Sequence, residues 1–146
     1  MSLAFTVSQT LRVTLSRDAQ MSLLKQMFAF LACLGDVPIV ILGDFNVPPD
    51  RSVTLSAILG QGAFFDLATI HSAQHDSQPQ NTCFAHETSA GARIDLALAS
   101  KAMAAACSGA QALEDFGLPV HKPLLFTVDI PLIKQVGQGF RTPAPV

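Results

Sequence analysis

With 146 residues, 49% of them apolar and 10 of them Phe, the chain has material for one packed core, which means one domain or part of one. A net charge of −2 excludes a broad basic field that would hold nucleic acid by counterion release, and equally excludes an acidic solvating tail. The charged fraction of 14% sits below the usual value of about 25%, and the mean hydropathy is positive, so more apolar surface is expected than a self-contained domain carries.

In chain order, residues 3–14 alternate loosely, with Val7, Thr10, Val13 and Thr14 suited to one or two short strands. Over residues 17–34 the apolar positions Met21, Leu24, Met27, Phe28, Leu31 and Leu34 recur every three or four residues, which predicts a helix. Ser16 or Asp18 is its candidate N-cap and Gly35 its stop. Residues 38–43 form a short β-branched run, the pattern of a strand buried on both faces. A short helix is expected from about residue 50 to Leu59, then a packed turn or short segment at residues 63–67 and a polar loop over 71–81. Residues 82–86 and 93–98 read as two strands joined by a turn around residues 88–91. Residues 100–106 read as an Ala-rich helix capped by Ser100, and residues 124–130 as a last strand. Strands 39–42, 93–98 and 124–130 are expected side by side in one mostly antiparallel sheet, with the first helix on one face. Residues 1–16 then form an N-terminal strand segment, 17–130 the main unit, and 131–146, with Gly137, Gly139, Pro143 and Pro145, a loose tail.

Three cysteines, Cys33, Cys83 and Cys107, are an odd number at unrelated spacings and fit reduced thiols better than a disulfide framework. The first residues lack a positively charged leader region, and no apolar run approaches the roughly 18 residues of a membrane span. An intracellular, non-secreted protein is the expectation.

Chemistry concentrates at Gly43-Asp44-Phe45-Asn46, directly after the buried strand. Two polar side chains leaving the end of a central strand two residues apart face one crevice, where sheet-based folds bind ligands. Asp44 suits a metal or a nucleophilic water, and Asn46 suits donation to a developing oxyanion; an Asx turn is the competing explanation for the same pair. In Arg93-Ile94-Asp95, Asp95 enters an apolar strand and needs a partner, for which His121, just before the last strand, is one candidate and Arg93 another. A rival set, His71, His75, Cys83 and His86, has residue types suited to zinc at spacings that match no standard finger. Lys101 and Lys122 are candidate phosphate contacts or plain solubility residues.

Taken in order, Gly43-Asp44-Phe45-Asn46, Phe64-Phe65-Asp66, Thr82-Cys83-Phe84, Arg93-Ile94-Asp95 and His121-Lys122-Pro123 resemble the ordered motifs of the endonuclease/exonuclease/phosphatase family, across roughly residues 17–130. The resemblance is to the C-terminal half of that domain. It implies an α/β fold of the α+β type, part of a four-layer sandwich of mostly antiparallel sheets flanked by helices. It also implies a Mg2+- or Mn2+-dependent phosphoester hydrolase, with a phosphodiester or phosphomonoester, nucleic acid among them, as substrate class. By resemblance Asp44 and Asn46 contact the metal, Asn46 and His121 the phosphate, and Asp95 supports His121. Two departures weaken this centre. Pro119-Val120 stands where the family places an Asp before the His, and no Glu precedes Glu87 to match the family's chief metal ligand. A truncated domain of reduced or no activity is therefore expected. The alternative is a non-catalytic interaction module whose apolar sheet face pairs with itself or with a complementing first-half chain.

Overall fold

The computed structural model describes residues 2–6, 16–35, 37–86, 89–114 and 120–133. Strand β1 spans Ser2–Thr6, helix α1 Arg17–Ala32 and strand β2 Val40–Asp44. A 3-10 turn at Pro49–Arg51 leads into α2, Val53–Gly60. Then follow β3 at Phe64–Asp66, α3 at Leu67–Gln74, β4 at Asp95–Ser100, α4 at Lys101–Ala105, β5 at Cys107–Ala112 and β6 at Leu124–Asp129. The strands form two antiparallel three-stranded sheets, ordered β1-β6-β5 and β2-β4-β3. This is the mixed α/β, sandwich-like arrangement with flanking helices that the motifs imply.

Helix α1 forms where the apolar period predicts it. Ser16 caps it by accepting from the Ala19 N–H at 3.3 Å, a cap of the kind worth about 1 kcal/mol, and Gly35 follows at φ 76°, the left-handed conformation that ends helices. Its inner residues Met21, Leu24, Phe28 and Leu31 pack with Leu55 and Ile58 of α2 over one face of the second sheet. Phe28 meets the Phe64 ring edge-on, with centroids 4.8 Å apart.

The alternation Leu96-Ala97-Leu98-Ala99 explains how the layers stack. Successive strand residues face opposite sides, so Leu96 and Leu98 enter the cluster beneath α1 and α2. Ala97 and Ala99 enter a second cluster with Phe126 and Val128 of β6. Small residues on one sheet admit large ones from the other, which is how two apolar sheet faces interdigitate.

The expected strands 39–42, 93–98 and 124–130 do not lie side by side in one sheet. Strands β2 and β4 are neighbours, with Val40 opposite Ala99 and Asp44 opposite Asp95, but β6 belongs to the other sheet. Both edges of β4 are occupied, by β2 and β3, and both edges of β6 by β1 and β5, so these two strands meet face to face instead of edge to edge. Two elements were also absent from the sequence reading: α3, which fills the start of the expected 71–81 loop, and β5, a small-residue strand bulged between Cys107 and Gly109. Residues 82–86 contribute a single bridge position at Cys83 where a strand was expected. Residues 7–15 and 134–146, the remainder of the N-terminal segment and most of the expected tail, lie outside the described residues.

Candidate metal and acid-base centre

Strand β2 delivers Asp44 to its carboxyl end, and the following loop is pinned by alternation. Phe45 and Val47 are buried in the core under α1, so Asp44 and Asn46 face outward. Asn46 has φ 56°, a left-handed conformation that Asn tolerates better than most residues. Its N–H donates to Asp44 Oδ1 at 2.8 Å. The Asx turn proposed as a competing explanation is therefore present, and it orients the carboxylate while the second oxygen is left for other work.

Asp95 sits directly across from Asp44 in the antiparallel ladder, and such opposed residues carry Cβ atoms roughly 5 Å apart. Its carboxylate Oδ2 accepts from His121 Nδ1 at 2.9 Å, with about a fifth or less of each side chain exposed (22% for His121, 15% for Asp95). The partner of Asp95 is thus His121 and not Arg93, whose guanidinium instead forms an ion pair with Asp66. Asp66 also caps α3 by accepting from the Ala68 N–H.

The third part of this construction is the segment around Cys83. The Phe84 N–H donates to Val120 O at 2.8 Å and the Lys122 N–H to Thr82 O at 2.7 Å, bonds that set Cys83 opposite His121. On its other side Cys83 pairs with Ala92. Thr82, fully buried, turns its hydroxyl oxygen toward the N–H groups of Ile94 and Asp95 at 3.2 and 3.0 Å. Two cross-strand pairs, Asp44 with Asp95 and Cys83 with His121, are consequently stitched together at one end of the sandwich.

Ligand atoms of Asp44, Asp95 and His121 lie within 4.8 Å of one another, close enough to hold one divalent cation. Oxygen donors from two carboxylates fit a hard ion such as Mg2+, which keeps most of its own water. The burial of the Cys83 thiol, together with the nearby Asp95 and Asp44 charges, raises its pKa above the ordinary value. Among the described residues this is the group of acidic, His or Cys side chains placed for a shared ion. The rival zinc set does not assemble. His71 and His75 stack on each other in and just after α3, with ring centroids 4.2 Å apart, and burial plus the neighbouring His75 lowers the pKa of His71. Lys122 does not face the centre as a free cation: it pairs with Glu114 at 2.8 Å and lies over the Phe84 ring.

The profile of the Endonuclease/Exonuclease/phosphatase family matches residues 5–117. The chain belongs to this family. Similar folds include an AP endonuclease from Archaeoglobus fulgidus, at 21% identity and TM-score 0.62 over 77% of this chain and 55% of that one. They also include the Neisseria 3′ phosphatase NExo bound to product DNA hairpin, at 24% identity and TM-score 0.54 over 74% and 54% of the two chains. An endonuclease/exonuclease/phosphatase family protein from Bacteroides thetaiotaomicron follows at 16% identity and TM-score 0.51, over 80% and 46%. The chain spans about half the length of these solved structures. No curated protein sequence matches it. As a member of this family the chain carries a metal-dependent phosphoesterase-type fold with a candidate ligand cluster. No described helix is long and apolar enough to cross a membrane.

In the sequence Thr82 stands out only as part of an ordered motif, and Cys83 as part of that motif and of the rival zinc set; neither reading shows the role the structure gives them. The signal was the Thr-Cys-Phe triplet between the Asp44 loop and Asp95, but spacing could not show that a bridge would align Cys83 with His121.

Proposed function

We propose that the chain is a metal-dependent phosphoester hydrolase-type module in which Asp44, Asn46, Asp95 and His121 form the reacting centre, with low turnover for the 146-residue chain by itself. The observation that carries this reading is the Asp95 to His121 hydrogen bond, 2.9 Å, lying within 4.8 Å of the Asp44 carboxylate. Asp95 holds the ring by Nδ1, which directs Nε2 outward as the group that binds or protonates a phosphate oxygen. Asp44, held by the Asn46 N–H, contacts the ion and orients the attacking water; the Asn46 amide donates to the phosphate. A bound Mg2+ or Mn2+ would neutralise phosphate charge and lower the pKa of water.

The substrate class is a phosphomonoester or phosphodiester, with nucleic acid supported by the DNA-acting similar structures. The net charge of −2 supports brief contacts with a nucleic acid backbone over tight binding. Low turnover follows from the ligand count: with few protein oxygens, the ion is weakly held. The test is a hydrolysis screen with abasic-site DNA, 3′-phosphate DNA, RNA and a generic phosphodiester at millimolar Mg2+ or Mn2+. Slow metal-dependent cleavage lost in both Asp44→Ala and His121→Ala is expected. Cleavage of none of these substrates, or cleavage that survives both substitutions, overturns the reading.

A second reading, an interaction module, is favoured by Leu23 and Phe30 of α1, which stand 56% and 65% exposed. Among the described residues the exposed large apolar side chains lie on helices and loops and not on a sheet face. Concentration-dependent association reduced by Phe30→Ser, with no hydrolysis, would favour this reading.

A further inference from the structure

We propose that the cleft between α3 and β5 is a binding site for one pyrimidine base of a nucleic-acid strand. The cleft measures about 130 Å3 and is open on one side. A closed cavity of about 150 Å3 takes one benzene ring, so this volume suits a single six-membered ring with its sugar and phosphate outside the mouth. The fused rings of a purine exceed it. The walls suit a flat ring as well. Ala68 lies on the α3 side, and Ala110 and Ala112, two residues apart on β5, share one strand face. Ala110 packs in the cluster that holds Leu67 and Ile70 of α3, so that face looks toward the helix. Single methyl groups on both walls leave a slot that larger side chains would close.

Uncharged hydrogen-bonding groups surround the slot. The carbonyl of the buried Ser72 accepts from the Ser77 N–H at 2.9 Å and from the Ser77 hydroxyl at 3.3 Å. These bonds fold the chain after α3 back onto the helix and leave the Ser77 oxygen as an acceptor. Gln80 Oε1 accepts from the Ala112 N–H at 2.8 Å. A backbone N–H only donates, so the Gln80 amide nitrogen points the other way with N–H groups to give. A pyrimidine edge offers carbonyl oxygens to that nitrogen and ring N–H or amino groups to the serine oxygen. Among the described residues no Asp, Glu, Lys or Arg lines the cleft. A phosphate or carboxylate entering it would lose water without gaining a counter-charge, which leaves a neutral polar ring as the occupant. The cleft also lies at the end of the sandwich that carries His121. Ala112 pairs with Leu124 at the start of β6, and Gln80 precedes Thr82 by two residues, at most about 7 Å of chain. A strand with one base in the cleft can present a neighbouring phosphate to Asp44 and His121; that step rests on the proposed hydrolysis, whereas base binding does not.

The test is an amide NMR titration of the full chain, without metal, using uridine, adenosine, inorganic phosphate and a short oligo(dT) as probes. Uridine should shift Ala68, Ala110, Ala112 and the Gln80 side-chain amide saturably, and oligo(dT) should shift the same groups at lower concentration. Adenosine and phosphate should leave them in place. Ala68→Leu keeps a good helix former and fills the slot, so it should weaken uridine binding by about tenfold or more. A second measurement needs no variant: saturation transfer from the unsubstituted chain should reach the uracil ring protons more strongly than the ribose protons. Absence of saturable shifts at these residues, an equal response to adenosine, unchanged uridine affinity in Ala68→Leu, or stronger transfer to ribose overturns the proposal. Oligo(dT) that leaves these residues unshifted overturns the strand as the source of the base. No readout uses metal or hydrolysis, so failure of the base site and failure of the phosphoesterase reading are separately visible.

Discussion

Thr82→Val is the sharpest perturbation of the scaffold behind the centre. The Thr82 side chain is fully buried, and its oxygen accepts from both the Ile94 and Asp95 N–H groups. Valine keeps the shape and removes the acceptor, leaving two donors with no partner on that side. A buried donor left unsatisfied costs about 1–3 kcal/mol; because one oxygen shared at 3.0 and 3.2 Å makes two bonds of less than full strength, about 2–4 kcal/mol is expected in all. For a chain of this length that lowers the melting temperature by roughly 10 °C and shifts the urea midpoint without a change in slope. Thr82→Ser keeps the acceptor and loses one methyl, so it should cost only about 1 kcal/mol. Urea denaturation of the three proteins, with amide NMR shifts of Asp95 and His121, measures this directly. A Thr82→Val chain as stable as the parent, or a Thr82→Ser chain equally destabilised, would show that the hydroxyl is not the tie between Cys83 and β4.

Four other outcomes are expected. Phe28→Ala, which empties the site against Phe64, should cost about 3–5 kcal/mol in chemical denaturation. Asp66→Asn should cost about 3 kcal/mol by the same measurement, because it leaves the mostly buried Arg93 guanidinium without its anion and weakens the α3 cap. In Asp95→Ala, nitrogen NMR of the neutral ring should show His121 moving from the Nδ1–H tautomer toward Nε2–H; an unchanged tautomer would refute the orienting role. Burial raises the Cys107 pKa, so the folded state holds that proton longer than the unfolded one. Its contribution is fully present below the ordinary thiol pKa of about 8.5 and is lost as pH rises through the raised folded value. Cys107→Ala should accordingly flatten the alkaline fall in stability relative to the parent, measured as urea midpoints across pH 7 to about 10.

Much of the local structure was legible because it follows from short-range rules. The three-to-four spacing from Met21 to Leu31 gives α1, Ser16 caps it, and the run before Gly43 gives β2. Helix α4 was also visible, although Ser100 does not cap it by its side chain: that hydroxyl donates to Val37 O and accepts from the Ile39 N–H, tying the chain before β2 to the end of β4. Such a bond spans about sixty positions of sequence and has no local signature. Strand β5, Cys-Ser-Gly-Ala-Gln-Ala, was missed because its small residues carry little strand propensity, and it is held in place by pairing with β6.

The division of strands between the two sheets was illegible for a deeper reason. Leu-Ala alternation in β4 states that both faces are buried, but it does not say which face meets helices and which meets another sheet. The size difference decides it in three dimensions: Ala97 and Ala99 leave a shallow surface that Phe126 and Val128 can approach, while Leu96 and Leu98 fill the deeper space under α1. Once the sheets stack in this way, the carboxyl end of β2 and the start of β6 lie at one end of the sandwich, and the 82–84 segment joins them by backbone bonds. His121 therefore reaches Asp95 across the sheet-to-sheet boundary and not along a sheet. The sequence motifs identified the chemical groups of the centre, and the choice of Ala over Leu at alternate positions of β4 brings those groups within reach of one another.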